Sequence, residues 1–366
     1  MCPPLHNERI MVNYKKVFIS TQPVGWFFRC TILFCFCTLR CNAIENWEKK
    51  MDTSYGPRLF ISRNTGDLLS AETQDNRMIT GGILTADEPE EDCSFSELMS
   101  QARKKIACLV KKGAKFIVAE NCQTLQQARI AVFAARKEKL PLIVTMLCDA
   151  EGIIPSGGTV TAALISLQSL GVSAFGISGN LTPQESADVL ELAVPFAKIP
   201  LAASPTAGNP NPILPDVYDL SPQNMADAIT PILECGVSVL LENKGVSPEH
   251  AGCIRQKLFS FDSTALHLER EDELEHIILA NEKNFFIISN ERLDFTEPIP
   301  CHHDMSDDFI AAEEDSVDVL EIQIDTPDDS VVFAENAHLA GLPVMFRSDD
   351  ELALKSALML YNGKAM

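Results

Sequence analysis

Four adjacent residues, Cys301-His302-His303-Asp304, offer a thiol, two imidazoles and a carboxylate, the donor types that hold zinc and other transition metals. Side chains so close in sequence cannot all face one ion without a tight loop, and Asp304 better suits the cap of a following helix. Glu120 offers a second chemistry. It follows the apolar run Lys115–Ala119, and a carboxylate at the C-terminal end of a parallel strand sits where binding groups gather, here to hold an amine or other cation. An exposed loop acid is the plain alternative. Asn180 and Thr206 also follow apolar runs and are candidate substrate-binding residues, although polar residues are common in turns. Cys122 lies beside Glu120, but one thiol cannot build a three-ligand metal site.

The elements that must position these residues are legible from periodicity. From Met78 onward short apolar runs alternate with longer amphipathic ones, the pattern of βα units on a parallel sheet. Strands are predicted at 78–84, 115–119, 141–147, 174–178, 199–203 and 238–241. Helices are predicted at 96–111, 124–137, 159–170, 184–197 and 223–235. Thr182-Pro183 and Ser221-Pro222 each place a capping hydroxyl ahead of a proline in a first helical turn. Strict alternation favours an α/β fold of TIM-type (β/α) barrel over a flat sheet. The count is two strands short of eight, so the barrel reads as incomplete at the N-terminus. Arg58–Arg63 is a further possible strand, ahead of the turn signal Asn64-Thr65-Gly66.

After a helix at 251–258 and an acid-rich stretch, a second βα series begins. Strands are predicted at 284–289, 317–324 and 343–346, with helices near 304–314, 329–340 and 351–361. The chain stops where another strand would start, so this unit reads as partial. The expected organisation is an atypical segment 1–50, a barrel 51–258, a linker 259–283 and a partial unit 284–366.

The chain of 366 residues is 46% hydrophobic and 22% charged, enough for a sizeable core. Its net charge of -21 repels phosphate backbones and anionic lipid, which argues against nucleic acid and membrane partners. The basic residues Arg103, Lys104, Lys105, Lys111 and Lys112 sit at helical spacing, as on a solvated face. Twelve cysteines are scattered through the chain, several in apolar stretches (Cys108, Cys148, Cys235) and without a CxxC pair, which fits a reduced cytoplasm better than a secreted disulfide framework. The first 50 residues differ from the rest. They carry seven Lys and Arg against three Asp and Glu, about +4, which leaves about -25 on the remainder. Their apolar burst Trp26–Cys41 is interrupted by Arg29 and Arg40 and is shorter than a membrane span. It reads as a poor signal peptide, an idiosyncratic extension or sequence not native to the domain, with Met51 suited to be a start.

The run Gly236–His250, GVSVLLENKGVSPEH, resembles the last strand and turn of the homocysteine S-methyltransferase family, whose turn reads Gly-Gly-Cys-Cys-Gly-Thr-Thr-Pro-Glu-His. Further matches follow in order. The family's Gly-Ser-Ile-Gly strand is matched by Thr80-Gly81-Gly82-Ile83, and its Gly-Val-Asp-x-Ile-x-x-Glu-Thr strand by Gly113–Asn121. The segment Gly157–Ser178 follows its helix and sixth strand, and Pro205-Thr206-Ala207-Gly208 its Pro-Asn-Ala-Gly turn. Residues 78–250 thus resemble the homocysteine-binding barrel of cobalamin-dependent methionine synthases. Residues 285–366 resemble the opening of the pterin-binding barrel that follows in those enzymes, with Asn290–Glu297 matching its Gly-Glu-Arg-x-Asn-x-Thr-Gly motif.

The resemblance implies transfer of a methyl group to the homocysteine thiol, with Zn²⁺ held by three cysteines, and a corrinoid or folate as methyl source. Zinc stabilises the thiolate that attacks the methyl donor. The three zinc-cysteine positions are here Gly179, Asn243 and Lys244, none a soft anionic ligand. The family's amine-binding Glu is matched by Glu120. The Asp-Gly motif of the family's first strand has no counterpart in residues 51–77. On the pterin side the folate-contacting Asn is matched by Asp294, the Asp and Asn of the second strand by Glu321 and Gln323, and the Asp of the third by Arg347. The expectation is therefore a methionine-synthase-like protein without zinc, whose methyl transfer is impaired. The rival expectation is a non-catalytic relative that binds homocysteine or another amino acid, or docks on a corrinoid protein. A third is a truncated product that cannot fold alone for want of strands.

Overall fold

A computed structural model describes residues 58–85, 93–264, 266–271, 275–290 and 293–366. The N-terminal segment 1–50 and most of the Asn290–Glu297 motif's start (Glu291 and Arg292) lie outside these residues. Eight strands close a barrel in sequence order: β1 Leu59–Arg63, β2 Leu68–Thr73, β3 Met78–Thr85, β4 Ile117–Cys122, β5 Leu142–Leu147, β6 Ala174–Ser178, β7 Leu201–Ala203 and β8 Val237–Leu241.

The expected gap at the N-terminus is corrected here. Residues 59–63 do form a strand, and the Asn64-Thr65-Gly66 turn folds it back onto β2, with Gly66 at φ 65° and the Asn64 N–H donating to Leu68 O at 2.9 Å. β1 pairs antiparallel with β2, and β2 antiparallel with β3, so a meander supplies two strands without intervening helices. β1 then pairs in parallel with β8, Leu59 beside Val239 and Ile61 beside Leu241, and the sheet has no open edge. Inward residues Leu59, Ile61, Leu69, Ala71, Ile83, Phe116, Val118, Ile143, Ala174, Ala202, Val239 and Leu241 fill the interior as a separate core. Gly81 is needed by that packing: a Cβ there would stand 2.2 Å from the Phe116 ring.

The outer layer is α1 Phe95–Lys111, α2 Leu125–Ala135, α3 Val160–Ser169, α4 Pro183–Ala193, α5 Pro222–Ala228, α6 Thr230–Glu234 and α7 Pro248–Ser260. The segment expected as one helix over 223–235 is two. Pro231 has no N–H to give and breaks the ladder at Ile229, and the Thr230 hydroxyl takes the Asp227 carbonyl at 2.8 Å. Reciprocal capping boxes start α1 (Ser94 with Glu97), α2 (Thr124 with Gln127), α4 (Thr182 with Glu185) and α7 (Ser247 with His250). The Ser94 backbone and hydroxyl donate to the Glu97 carboxylate and hold it below its usual value of 4.5. A carboxylate whose folded pKa is depressed adds stability above its unfolded pKa and loses it as pH falls through the folded one. In Glu97→Gln the stability difference from the parent is expected to shrink below about pH 4.5, measured by urea unfolding across pH 3–7; a constant difference would show that the cap does not depend on charge.

Helix α3 is buried on every side from Val160 to Leu167 because a second layer covers it. That cover is β9 His276–Ala280, paired antiparallel with β10 Phe285–Ser289. Ile278 and Ala280 join the barrel's outer core, and Phe285 packs on Phe196 with ring centres 4.8 Å apart and planes inclined at 56°. Part of the segment expected as linker is thus strand packed on the barrel. Beyond it, β11 Ile299–Pro300, β12 Leu320–Gln323 and β13 Val344–Arg347 run parallel, with α8 Ser306–Glu314, α9 Pro327–Asn336 and α10 Glu351–Leu360 against them. None of these strands joins the barrel sheet. Their core contains Phe309, Ile322 and an aromatic group of Phe333, Phe346 and Tyr361.

Candidate functional site at the barrel mouth

The parallel strands and β1 end on one face, and each strand end adds polar groups to it. At β4 the register slips between Ala119 and Cys122, and Asn121 adopts φ 57° with its N–H donating to Thr145 Oγ1 at 3.1 Å. This bulge leaves Glu120 at the mouth, opposite Thr85 of β3. The Glu120 side chain is 10% exposed and its Oε2 accepts from Arg63 Nη2 at 2.9 Å. Arg63 ends β1 and reaches Glu120 past the two intervening strands. Its backbone N–H donates to Glu242 Oε2 at 3.0 Å, and Glu242 directly follows β8.

On the other side of the mouth, Asn243 ties three strand ends together. Its Nδ2 donates to Gly179 O, just past β6, at 3.0 Å, and to Ser204 O, just past β7, while its Oδ1 accepts from the Lys244 N–H at 2.8 Å. Two carbonyls on one side and an N–H on the other fix which way the amide faces. Lys244 Nζ donates to Asn180 Oδ1 at 3.2 Å. Thr206 is buried, its N–H donating to Leu181 O at 2.8 Å and its hydroxyl between Leu181 O and Gly208 O at 2.9 and 2.8 Å. His250 anchors the turn: Nε2–H donates to Leu220 O at 2.9 Å, which leaves Nδ1 to accept from the Ser247 N–H at 3.3 Å, while the Ser247 hydroxyl donates to Glu249 Oε2 at 2.7 Å.

The structure therefore brings Glu120 and Asn180 to the mouth and places Thr206 beneath it. Arg63 and Glu242 are mouth residues that sequence reasoning missed. The available signal was positional, since Arg63 ends the possible strand Arg58–Arg63 and Glu242 follows the last apolar run. Cys122 is buried, and burial pushes its thiol up to about 12, so it is not a ready thiolate.

Gly179, Asn243 and Lys244 do not suit zinc. The amide nitrogen of Asn243 points at two carbonyls, its oxygen is taken by a backbone N–H, and Lys244 brings an ammonium. Gly179 lies at φ 138°, where a Cβ would stand 2.7 Å from Cys148 O. Among the described residues no three His, Cys, Asp or Glu gather as a metal site. The Cys301-His302-His303-Asp304 donors point to separate partners: Cys301 Sγ to Gln323 O at 3.4 Å, His302 Nε2 to Asp308 at 3.1 Å, and Asp304 Oδ1 accepting from the Ser306 N–H at 3.1 Å.

The second unit repeats this internal pairing. Glu321 and Arg347 form an ion pair at 3.1 Å, with the Glu321 side chain 11% exposed. Gln323 Nε2 donates to Asp325 Oδ1, and the Asp294 N–H donates to Asp318 Oδ2 at 2.9 Å.

An eight-stranded α/β barrel with its polar groups at the C-terminal strand ends defines the structural class. The homocysteine S-methyltransferase family profile matches residues 50–256, more than half of the chain, and the chain belongs to that family. It is 30% identical over 146 residues to the methionine synthases of Mycobacterium leprae and Mycobacterium tuberculosis, covering 38% of this chain and 12% of each of those proteins. The match thus spans about an eighth of those relatives' length. Among solved structures, the Escherichia coli homocysteine methyltransferase MmuM in its apo form matches with a TM-score of 0.42 and 13% identity, over 50% of this chain and 65% of that one. Among the described residues no helix is long and apolar enough to cross a membrane.

Proposed function

We propose that this chain is a homocysteine S-methyltransferase-family barrel that does not carry out zinc-dependent methyl transfer and instead binds an amine-bearing ligand of amino-acid size at Glu120. The observation that carries this reading is the Asn243 amide, which spends its hydrogen-bonding capacity on Gly179, Ser204 and Lys244 where thiolates would be needed. Without a cation to stabilise it, the homocysteine thiol stays largely protonated at neutral pH and is a weak nucleophile. The paired Glu321 and Arg347 support the same reading for the pterin side. Glu120 supports binding, since its carboxylate sits at the mouth with a partly exposed partner.

The test is calorimetric titration of homocysteine and of methionine into the full chain, with and without Zn²⁺, beside an assay for methionine formed from a methyl donor. Zinc-independent binding with no product is the expected result. Zinc-dependent binding or turnover would overturn it, as would the absence of any binding.

A further inference from the structure

We propose that Arg63 reads the α-carboxylate of the ligand, so that the mouth selects zwitterionic amino acids over simple amines. The inference rests on the proposed binding at Glu120 and names the ligand class. A guanidinium has five N–H donors in one plane. The contact to Glu120 runs through Nη2, and the Arg63 side chain is still 55% exposed. A carboxylate can therefore meet the open edge of the guanidinium in the two-point geometry that arginine favours. Glu120 Oε1 is left to take an ammonium. The cation and anion stand side by side, in contact at 2.9 Å, and an α-amino acid head group likewise carries its ammonium and carboxylate side by side on one carbon.

The rim charges agree with that choice. Arg63 meets Glu120 and Glu242 at one side of the rim and Lys244 meets Asn180 at the other, so two cations accompany two carboxylates at the strand ends of a chain whose net charge is -21. A net-neutral ligand with both charges fits such a rim, whereas an amine alone leaves Arg63 unused and a carboxylic acid alone meets Glu120. An ion pair with one partner half in water is weak and screened, so the ligand can share it without unfolding the mouth. Anchorage is provided from behind, because the Arg63 N–H is held by Glu242 and the following Asn64 N–H by Leu68 O.

The experiment titrates the full chain with homocysteine, with 3-aminopropane-1-thiol, which lacks the carboxylate, and with 4-mercaptobutanoate, which lacks the amine. Both analogues are expected to bind at least about tenfold more weakly than homocysteine, the size of one lost charge-assisted contact. In Arg63→Gln the amino acid should fall to the level of the amine, while Arg63→Lys should keep part of the discrimination. Amine binding within about twofold of homocysteine by the parent chain would overturn the role of Arg63 and leave binding at Glu120 standing. Failure of all three ligands to bind would instead overturn the binding reading itself. Melting curves of both variants accompany the titrations, so that a folding defect is separated from a lost contact.

Discussion

Arg129→Ala is expected to destabilise the protein by about 3 kcal/mol and to uncouple the barrel from the second unit. Arg129 sits on α2 of the barrel, is 1% exposed, and its Nη2 donates to Leu358 O at 2.9 Å and Met359 O at 3.1 Å. Those carbonyls belong to the last turn of α10, where the helix dipole and unsatisfied C=O groups attract a cation. The guanidinium also lies 5.5 Å from the centre of the Phe133 ring. Alanine would leave two carbonyls short of a partner and a cavity between the units.

Burial lowers the Arg129 pKa to about 10, so it remains charged at neutral pH. For a cation whose folded pKa is lowered, stability depends on its titration only above the folded value and rises with pH there. The effect of the substitution should accordingly be flat between about pH 5 and 9. Urea unfolding should show two transitions in the alanine variant where the parent has one. Arg129→Met, which retains stem packing, should recover part of the loss. An alanine variant within about 0.5 kcal/mol of the parent would show that the junction is held elsewhere, by the Ala280–Lys364 backbone bonds or by the Tyr361 hydroxyl on Ala280 O.

Building a three-cysteine zinc site at positions 179, 243 and 244 is expected to fail at Gly179. Gly179→Cys should cost about 3 kcal/mol or more, because φ 138° is accessible only to glycine without strain and the new Cβ would meet Cys148 O at 2.7 Å. Asn243→Cys with Lys244→Cys removes the amide that joins the ends of β6, β7 and β8, and supplies two thiols where three are needed. The triple variant should melt below the parent in the presence of a chelator, and added Zn²⁺ should not raise it above the parent. A zinc-dependent rise beyond the parent, with methionine formed from homocysteine, would show that the turn after β6 can rearrange to a ligating geometry and that the mouth is not closed to zinc.

Sequence by itself determined the helix and strand alternation from Met78 onward, because apolar period and capping residues such as Ser94, Thr182 and Ser247 are local signals. It also determined the family, through ordered matches from Thr80 to His250. Closure of the barrel was not legible. β1 and β2 are short strands whose place depends on pairing Leu59 with Val239, some 180 residues away, and no local period reports such a contact.

The partners of the site residues were equally hidden. Glu120 reads as a lone acid until β1 brings Arg63 across the mouth, and Glu321 and Arg347 read as two unrelated charges until parallel β12 and β13 set them 3.1 Å apart. Arg129 looks like a surface residue of an amphipathic helix and is instead buried under α10. Residue type states which charges are available; only the tertiary fold decides which are desolvated and which face each other. That difference arises because Coulomb and hydrogen-bond interactions depend on distances of a few ångströms between segments far apart in the chain.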